Sequence, residues 1–220
     1  MPKINIFCKA SVFEGLGHLF RQIHIASELR KQNVDIVFYI PRFPTAENIL
    51  KKYNFSQKII DRFEQPLITN MGKTDATILD IQDTPSSLIK FLKKQSCKIV
   101  SFEDQGEGRN LVDLLIDCNL NSDDSKNIPQ KVKTLFGLSY SVLGPNFETQ
   151  HTKKRDFSDK IETLLLTFGG TDPHNITLDL AKQVPKNIKT TIILGAGFKN
   201  EDGLQNFDSI QIEKNVQDMA

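Results

Sequence analysis

A histidine lies in a glycine-rich stretch between a strand-like and a helix-like run, in the sequence FEGLGHLFRQIH at residues 13–24. Gly15 and Gly17 permit positive φ angles and a close approach of the backbone to a ligand. His18 falls in the first helical turn, where free N–H groups bind anions and the helix dipole disfavours a charged imidazole. The pattern predicts a neutral His18 that accepts a proton as a general base, with an ordinary strand-to-helix turn as the alternative.

Arg21 lies one helical turn after His18, on the same helix face, where it can meet a phosphate or a carboxylate. A nicotinamide fingerprint does not fit, because Phe20 occupies the place of its third small residue. The chain also lacks the GxxxxGKS or GxxxxGKT motif of nucleoside triphosphatases. The stretch therefore indicates an anion-binding or catalytic turn of another kind.

A second glycine turn follows another apolar run in TFGGTDPHN, at residues 167–175. Thr171 or Asp172 can cap the helix that begins here, and Pro173 suits its first position. Capping does not require the pair of glycines, whose exposed backbone at a helix N-terminus can bind a diphosphate. The predicted substrate-binding residues of this turn are Gly169, Gly170, Thr171 and Asp172.

Carboxylates collect after two strand-like runs, in ILDIQD and SFEDQGEG. Such groups can bind sugar hydroxyls or carry protons, and a solvated acidic loop is the alternative. A tyrosine in GLSYSVLGP is a further candidate, with packing as its alternative role. The predicted substrate-binding residues in these stretches are Asp80, Glu103, Asp104 and Tyr140.

The composition is that of an ordinary globular protein of 220 residues, 39% hydrophobic and 25% charged. A net charge of +1, from 28 Lys and Arg against 27 Asp and Glu, predicts no nucleic-acid partner and no anionic-membrane partner. The longest apolar runs fall far short of the ~20 residues that span a bilayer, so we predict no stable membrane insertion and a cytoplasmic location. The three cysteines and four histidines show no metal-ligand spacing, which predicts no metal and no cofactor. We expect buried, inert thiols at Cys8, Cys97 and Cys118.

Short β-branched and aromatic runs alternate with longer amphipathic runs, beginning with INIFCKAS, a helix over residues 17–32, VDIVFYI and TAENILKKY. The alternation continues through ATILDI, PSSLIKFLKKQ, KIVSFED, DLLIDC and SYSVLG. This order is typical of βαβ units and predicts an α/β fold with a parallel sheet covered on both faces. Ligands in such folds bind at the carboxyl ends of the strands.

A polar stretch without periodicity, PNFETQHTKKRDFSDK at residues 145–160, predicts a linker. After it, IETLLLTFGG, KTTIILGAG and DSIQIEK predict strands, with a helix in DPHNITLDLAKQVP. The expected domains are residues 1–150 and 158–220. A domain with so few elements buries little of its surface and is a poor independent domain. We therefore expect that the second domain is incomplete or is completed by a partner chain.

Four stretches, taken in order, resemble one family: GLGHLFR, SFEDQGEG before DLLIDCN, GLSYSVLGPNF and LLTFGGTDPHNITL. From Ile4 to about Leu194 the chain resembles the UDP-sugar hydrolases of the pseudaminic acid pathway and the related spore-coat polysaccharide proteins. The resemblance implies the GT-B architecture, with two Rossmann-like domains built on parallel sheets, which the peptidoglycan N-acetylglucosaminyltransferase also has. It implies a nucleotide-sugar substrate held between those domains.

The resemblance also implies a reaction and a role for individual residues. Water would attack the anomeric carbon of a UDP-linked diacetamido-trideoxy-altrose and release UDP. His18 matches the base proposed for the family, in a GxGH motif that also includes Gly15, Gly17 and Arg21 as substrate-binding residues. The second motif of the family is matched by Gly169, Gly170, Thr171 and Asp172.

The sequence leaves three functions open. Hydrolase members of the family have Asp-His-Tyr where this chain has Asp80-Ile81-Gln82, and FEDQGEG looks more like the spore-coat branch, whose members are mostly assigned as glycosyltransferases. A glycosyltransferase would use the same base on an acceptor hydroxyl. A non-catalytic fragment or interaction module is the third alternative, because we expect the later, uridine-binding half of the second domain to be missing.

Overall fold

The computed structural model describes residues 1–61, 63, 71–119, 127–151, 153–154, 158–195, 197–204, 207, 210–214 and 216. The chain folds into two compact units. The first unit consists of Met1–Ala10 and His18–Leu143, and the second of Ser11–Gly17 and Gly144–Ala220. The change of unit at residues 143–144 lies next to the polar stretch that the sequence predicts as a linker.

The first unit contains one large sheet. Its strands are β1 (Lys3–Cys8), β2 (Asp35–Pro41), β3 (Ser56–Ile60), β4 (Thr74–Asp80), β5 (Ser96–Phe102), β6 (Leu114–Asp117) and β7 (Lys133–Phe136). All seven are parallel and lie in the order β3-β2-β1-β4-β5-β6-β7. The chain therefore starts in the interior of the sheet, winds to one edge and then crosses to the other, as in doubly wound α/β folds.

Three α-helices connect strands in the described part of this unit: α1 (Gly17–Lys31), α2 (Pro44–Lys52) and α3 (Ser86–Leu92). On α1, Leu19, Ile23 and Ala26 are buried, at the three-to-four-residue spacing of one helix face. The last turn of α1 carries Arg30 and Lys31, which complement the negative end of the helix dipole. The apolar face of α1 fixes the rotation of the helix and therefore the direction of the polar side chains in its first turn.

The interior of the large sheet is mainly apolar on both faces. Consecutive residues Ile6, Phe7 and Cys8 of β1 are all fully buried, as expected for a strand covered on both sides. Phe7 stacks on Tyr39 of β2 with ring centroids 4.5 Å apart. Cys8 lies opposite Asp80 in the β1–β4 register, so the carboxyl ends of these two strands are neighbours at one edge of the sheet.

The second unit is smaller. It contains α4 (Asn146–His151), β8 (Thr163–Thr167), α5 (Ile176–Ala181), β9 (Lys189–Leu194) and β10 (Ile210–Lys214). Its strands form a parallel sheet in the order β10-β9-β8. One face of this sheet builds a small core in which Ile192 and Leu194 pack with Ala181 of α5. On the opposite face, Leu165 of β8 is 56% exposed.

The structure differs from the predicted elements in several places. The prediction of a strand at SYSVLG is wrong: Leu138–Tyr140 form a short 3₁₀ helix and irregular chain follows. The sequence analysis does not find β3 or β7, and α4 lies inside the predicted linker. The helix predicted in DPHNITLDLAKQVP begins at Ile176 and not beside Pro173, because Asn175 before it adopts a left-handed conformation with φ of 57°.

The thiols agree in part with the expectation. Cys8 is buried, and burial, followed by the charge of Asp80, raises its pKa well above the usual value. Cys8 is therefore an unreactive thiol. Cys118 is partly exposed, which corrects the expectation of burial at that position. The side chain of Cys97 lies outside the described residues.

The described residues contain neither a membrane-spanning helix nor a metal-binding cluster. Within them, no helix has the length and apolar character required to cross a membrane. In the same part of the chain, no group of three or more His, Cys, Asp or Glu side chains could hold a metal ion.

Candidate active site

His18 and Asp80 form a hydrogen-bonded pair at the carboxyl edge of the large sheet. His18 lies in the first turn of α1, and Asp80 is the last residue of β4. The Nδ1 atom of His18 is 2.7 Å from Oδ1 of Asp80. Because a carboxylate only accepts hydrogen bonds, we assign the imidazole proton to Nδ1, which leaves the lone pair on Nε2. The pair therefore presents one nitrogen that can accept a proton.

The two side chains differ in exposure. The Asp80 side chain is fully buried, whereas 18% of the His18 side chain is exposed. Asp80 is predicted to bind substrate, but its carboxylate is fully buried and accepts hydrogen bonds from His18, Arg21 and Gln22. We therefore assign Asp80 to the positioning of His18.

Arg21 and Gln22 complete the surroundings of Asp80. Arg21 donates from Nε to Oδ2 at 2.8 Å and from Nη2 to Oδ1 at 2.7 Å, a bidentate pair. Gln22 donates from Nε2 to Oδ2 at 2.8 Å. The distance of 3.3 Å between Arg21 Nη2 and His18 Nδ1 joins two donors that share Oδ1, so it is not a hydrogen bond. Asp80 thus accepts four hydrogen bonds from three side chains.

These partners determine the charge of Asp80. Burial alone would raise its pKa, but the hydrogen bonds from His18 and Arg21, together with their charges, outweigh burial and lower the pKa below its usual value. For Arg21, burial opposes the charged form, and the hydrogen bonds and charges of Asp80 and Glu103 raise the pKa in spite of it. Asp80 and Arg21 are therefore an ionised pair at neutral pH.

Glu103 binds the other side of the Arg21 guanidinium. Its Oε2 atom is 2.8 Å from Arg21 Nη1, and its side chain is 29% exposed. Glu103 directly follows β5 and has a left-handed backbone with φ of 45°. The Arg21 Cζ atom also lies 5.4 Å from the centroid of the Phe102 ring. Arg21, predicted to meet a phosphate or a carboxylate, contacts two carboxylates of its own chain.

Asp104 is a structural residue of the acidic loop. It is 2% exposed, and its Oδ1 atom accepts the backbone N–H groups of Thr84 and Gly106, each at 3.0 Å. Its Oδ2 atom accepts the Ser101 hydroxyl at 2.6 Å. The carboxylate is therefore fully used in joining the chain after β4 to the chain after β5. Asp104 therefore holds the loop that contains Glu103. It is predicted to bind substrate, but its carboxylate is buried in this loop.

Gly15 and Gly17 lie in the turn Ser11–Gly17. Gly15 has φ of 74° and donates its N–H to the Ser11 carbonyl at 3.0 Å. The Ser11 hydroxyl accepts the N–H of Glu14 at 3.1 Å. At either glycine, a Cβ would have no described atom within 4 Å. The positive φ angle explains why glycine occupies position 15. Packing against the described residues does not explain why glycine occupies either position.

The second glycine pair, Gly169 and Gly170, lies against the turn that follows β9. A Cβ at Gly195, directly after β9, would lie 2.4 Å from Gly170 Cα and 2.5 Å from the Gly169 carbonyl oxygen. Gly197 also donates its N–H to the Gly170 carbonyl at 2.8 Å. Close packing thus requires glycine at Gly195, and the φ of 71° favours glycine at Gly169. The binding of a diphosphate by Gly169 and Gly170 stays a prediction.

Thr171 and Asp172 are both 6% exposed. Asp172 accepts the N–H groups of Ile176 and Thr177 at 3.0 and 2.8 Å, and so satisfies the start of α5 with its own carboxylate. This capping role matches one part of the sequence interpretation. It also means that the first N–H groups of α5 already have a partner.

Tyr140 lies at the end of a 3₁₀ helix and is 40% exposed. Its backbone carbonyl accepts the thiol of Cys118 at 2.9 Å. The neighbouring Leu138 and Leu143 are 62% and 64% exposed. Tyr140 is therefore not a core residue, and its role in binding a substrate stays a prediction.

Gln22 is the site residue that the sequence analysis does not find. It is fully buried and reaches Asp80 from the helix position four residues after His18. Residues at this spacing share a helix face. A glutamine on the buried face of α1, one turn from a candidate base, is the signal that identifies it.

No protein-family model matches the chain. Over 239 aligned positions it is 27% identical to an uncharacterized protein of Methanocaldococcus jannaschii. The alignment covers 99% of this chain and 49% of that protein. Over 206 positions it is 25% identical to the UDP-2,4-diacetamido-2,4,6-trideoxy-β-L-altropyranose hydrolase of Campylobacter jejuni, with coverage of 88% and 69%. The chain thus spans about half the length of the first relative.

Solved structures share the fold at low sequence identity. MurG of Acinetobacter baumannii superposes with a TM-score of 0.51 at 14% identity, covering 99% of this chain and 69% of MurG. Anabaena HepE in complex with UDP-glucose gives a TM-score of 0.55 at 12% identity, covering 97% and 69%. The chain therefore has the α/β fold of GT-B glycosyltransferases and is a distant relative of a UDP-sugar hydrolase.

Proposed function

We propose that this protein hydrolyses a UDP-linked diacetamido-trideoxyhexose and releases UDP, in the synthesis of a nonulosonate or another surface polysaccharide. The observation that carries the proposal is the His18–Asp80 pair, whose Nδ1–Oδ1 hydrogen bond of 2.7 Å leaves Nε2 able to accept a proton. The named activity of the Campylobacter relative supplies the substrate class. A complex of HepE with UDP-glucose supports it, since that protein shares the fold.

In the proposed reaction, His18 Nε2 takes a proton from water while the water oxygen attacks the anomeric carbon. The bond between that carbon and the diphosphate oxygen breaks, and its electron pair leaves with UDP. The products are UDP and the free sugar. General-base catalysis of this kind contributes a rate factor of about 10²–10⁴.

The charges around His18 suit this proton transfer. Asp80 and Glu103 carry two negative charges against the single positive charge of Arg21. When His18 becomes an imidazolium, the four side chains together become neutral. The buried Asp80 carboxylate stabilises the imidazolium through Nδ1–H and also prevents the ring from turning.

The substrate contacts in this proposal come from the resemblance of the motifs. We retain as substrate-binding candidates Gly15, Gly17, Glu103, Tyr140, Gly169 and Gly170. UDP is a good leaving group, so positioning and stabilisation of the diphosphate would supply much of the remaining acceleration.

The test is the release of UDP from UDP-diacetamido-trideoxyhexoses by the 220-residue chain in ¹⁸O-labelled water without an acceptor. We expect one ¹⁸O atom in the free sugar and none in UDP, because water attacks carbon and not phosphorus. Label in UDP would contradict the proposed attack. No consumption of any UDP-sugar, with or without acceptors, would favour a non-catalytic role.

A glycosyltransferase is the second candidate. The chain has Asp80-Ile81-Gln82 where the hydrolases it resembles have Asp-His-Tyr, and it has the fold of glycosyltransferases. His18 would then deprotonate an acceptor hydroxyl in place of water. UDP release that requires an added sugar or polyol acceptor, with no ¹⁸O uptake, would select this function over hydrolysis.

A further inference from the structure

We propose that Arg21 is a positioning residue that acts on His18 through Asp80, and that it does not bind the diphosphate of the substrate. The inference rests on the proposed function of His18 as general base. It assigns a separate task to the arginine of the GLGHLFR motif, whose spacing by itself is equally compatible with a phosphate ligand.

Every nitrogen of the Arg21 guanidinium donates to a carboxylate of its own chain, so three of its five N–H groups are used. Nε and Nη2 donate to the two oxygens of Asp80, and Nη1 donates to Glu103. The Phe102 ring lies 5.4 Å from Cζ, and only 15% of the Arg21 side chain is exposed. Each of the three guanidinium nitrogens therefore has a carboxylate partner, and the two N–H groups that remain belong to a largely buried side chain.

Arg21 keeps the buried Asp80 carboxylate ionised, and this fixes the tautomer of His18. Without a cation beside it, a fully buried carboxyl group favours its neutral form. A protonated Asp80 would donate its O–H to Nδ1 of His18, and the imidazole proton would then lie on Nε2. That tautomer has no lone pair at Nε2 and cannot take a proton from water.

Glu103 supports this arrangement from the solvent side. It binds Nη1, the one guanidinium nitrogen that Asp80 does not use. Its own backbone position is fixed by the neighbouring Asp104, which bonds to Thr84 and Gly106. Glu103 thus orients the arginine fork, and we expect its loss to have a smaller effect than loss of Arg21.

The experiment measures the tautomer of His18 directly in the substrate-free 220-residue chain, by long-range ¹H–¹⁵N correlation of the imidazole nitrogens at a pH where the ring is neutral. A His18→Ala spectrum assigns the signals. We expect the Nδ1–H form in the wild type and mainly the Nε2–H form in Arg21→Met. Arg21→Lys keeps a positive charge beside Asp80 although it loses the bidentate geometry, so we expect the Nδ1–H form to persist.

Kinetics provide the second measurement. Arg21→Met should lower kcat by about a hundredfold, the scale of general-base catalysis, with KM within about twofold, because no substrate contact is removed. Arg30→Lys and Arg30→Met are the matched controls. Arg30 lies on the same helix, donates to the Tyr53 carbonyl and should affect neither the tautomer nor kcat.

The outcomes separate the two roles of Arg21. An unchanged Nδ1–H tautomer in Arg21→Met, together with a raised KM, would overturn the inference and make Arg21 a substrate ligand. If Arg21→Met does not fold, as judged by circular dichroism, Arg21→Gln removes the charge in its place. An unchanged Nδ1–H tautomer in that variant overturns the inference, and the Nε2–H tautomer supports it. The tautomer is read without substrate, so a failure of the proposed hydrolysis leaves this test intact.

Discussion

Asp80 carries a buried charge, and its hydrogen bonds explain the orientation of His18 better than they explain the stability of the fold. The carboxylate accepts four hydrogen bonds from His18, Arg21 and Gln22. A buried ion pair gives little net stability compared with apolar residues of the same volume, yet removal of one partner is costly. The arrangement is therefore best explained by the orientation that it imposes on the imidazole.

Asp80→Asn should destabilise the first unit by about 3 kcal/mol at pH 7, because it removes the buried carboxylate of the two that compensate the charge of Arg21. The pKa of Asp80 is lowered in the folded protein, so its stabilisation is complete above the usual carboxyl value of about 3.9. It is lost as the pH falls through the lowered folded pKa, since the unfolded chain binds the proton first. Urea unfolding of both proteins between pH 7 and pH 2 measures this.

The matched control is Asp75→Asn on the same strand. Asp75 is exposed and accepts the N–H of Lys3, which an amide oxygen can also accept. We expect little change in stability and no pH dependence of the difference. If the gap between wild type and Asp80→Asn stayed constant through the acid range, the carboxylate would not be the stabilising form of Asp80.

At the scale of elements, the chain after β5 is built to hold Glu103. Gly106 permits a contact that no other residue allows, because a Cβ there would lie 2.4 Å from the Thr84 nitrogen and 2.5 Å from its carbonyl oxygen. Gly106→Ala should therefore displace the loop and cost about 1–3 kcal/mol, the range for overpacking. Thermal unfolding measures the loss.

Gly17→Ala is the control for Gly106→Ala. A Cβ at Gly17 would meet no described atom within 4 Å, and alanine favours the start of α1. We expect unchanged or slightly higher stability. Equal stability of the Gly106 variant and the wild type would show that the loop can move away from Thr84 at no cost.

The centre of β1 contains a polar side chain without a partner. Asn5 is fully buried opposite Thr77, and neither polar atom of its side chain has a hydrogen-bond partner among the described residues. Asn5→Leu should raise the free energy of unfolding by about 1–2 kcal/mol, because an unsatisfied amide is replaced by an apolar group of similar size.

Thr77→Val is the comparison for Asn5→Leu. The Thr77 hydroxyl is 2.5 Å from the Ser96 hydroxyl, so this variant should lose about 1 kcal/mol. If the Asn5 amide is unsatisfied, chemical denaturation should show a higher free energy of unfolding for Asn5→Leu and a lower one for Thr77→Val than for the wild type. A destabilised Asn5→Leu would instead indicate that a bound water satisfies the amide.

For the whole molecule, the sequence predicts the doubly wound architecture but not the two edges of the large sheet. The strands β3 and β7 are the edge strands. Four of the five residues of β3, all except Ile60, and all four residues of β7 are exposed or only partly buried. They therefore lack the continuous apolar runs that identify interior strands. SYSVLG contains apolar residues but lies in a mostly exposed segment, so the strand predicted there from composition is wrong.

The site residues that lie together in one short stretch of sequence could be predicted. The glycine turn and helix start identify His18 and Arg21, whereas the function of Asp80 depends on a partner 62 positions away in the chain. Only the β1–β4 register, in which Cys8 faces Asp80, brings the two together. Spacing in the sequence contains no information on that register, so Asp80 was grouped with substrate contacts.

The GT-B fold and the distant hydrolase relative place this chain among proteins larger than itself. It spans 49% of the Methanocaldococcus protein and 69% of the Campylobacter hydrolase. The pair of His18 and Asp80, with Arg21 and Glu103, lies entirely in the first unit. The proposed chemistry of proton transfer can therefore be tested on this chain directly.

The central claim is that His18 activates water. The most direct measurement is the rate of UDP release from a UDP-diacetamido-trideoxyhexose, without acceptor, by the wild-type 220-residue chain, by His18→Ala and by His24→Ala as a control on the same helix. We predict release by the wild type and by His24→Ala, with a kcat lower by at least about a hundredfold in a folded His18→Ala. Equal release by His18→Ala and the wild type would contradict the account.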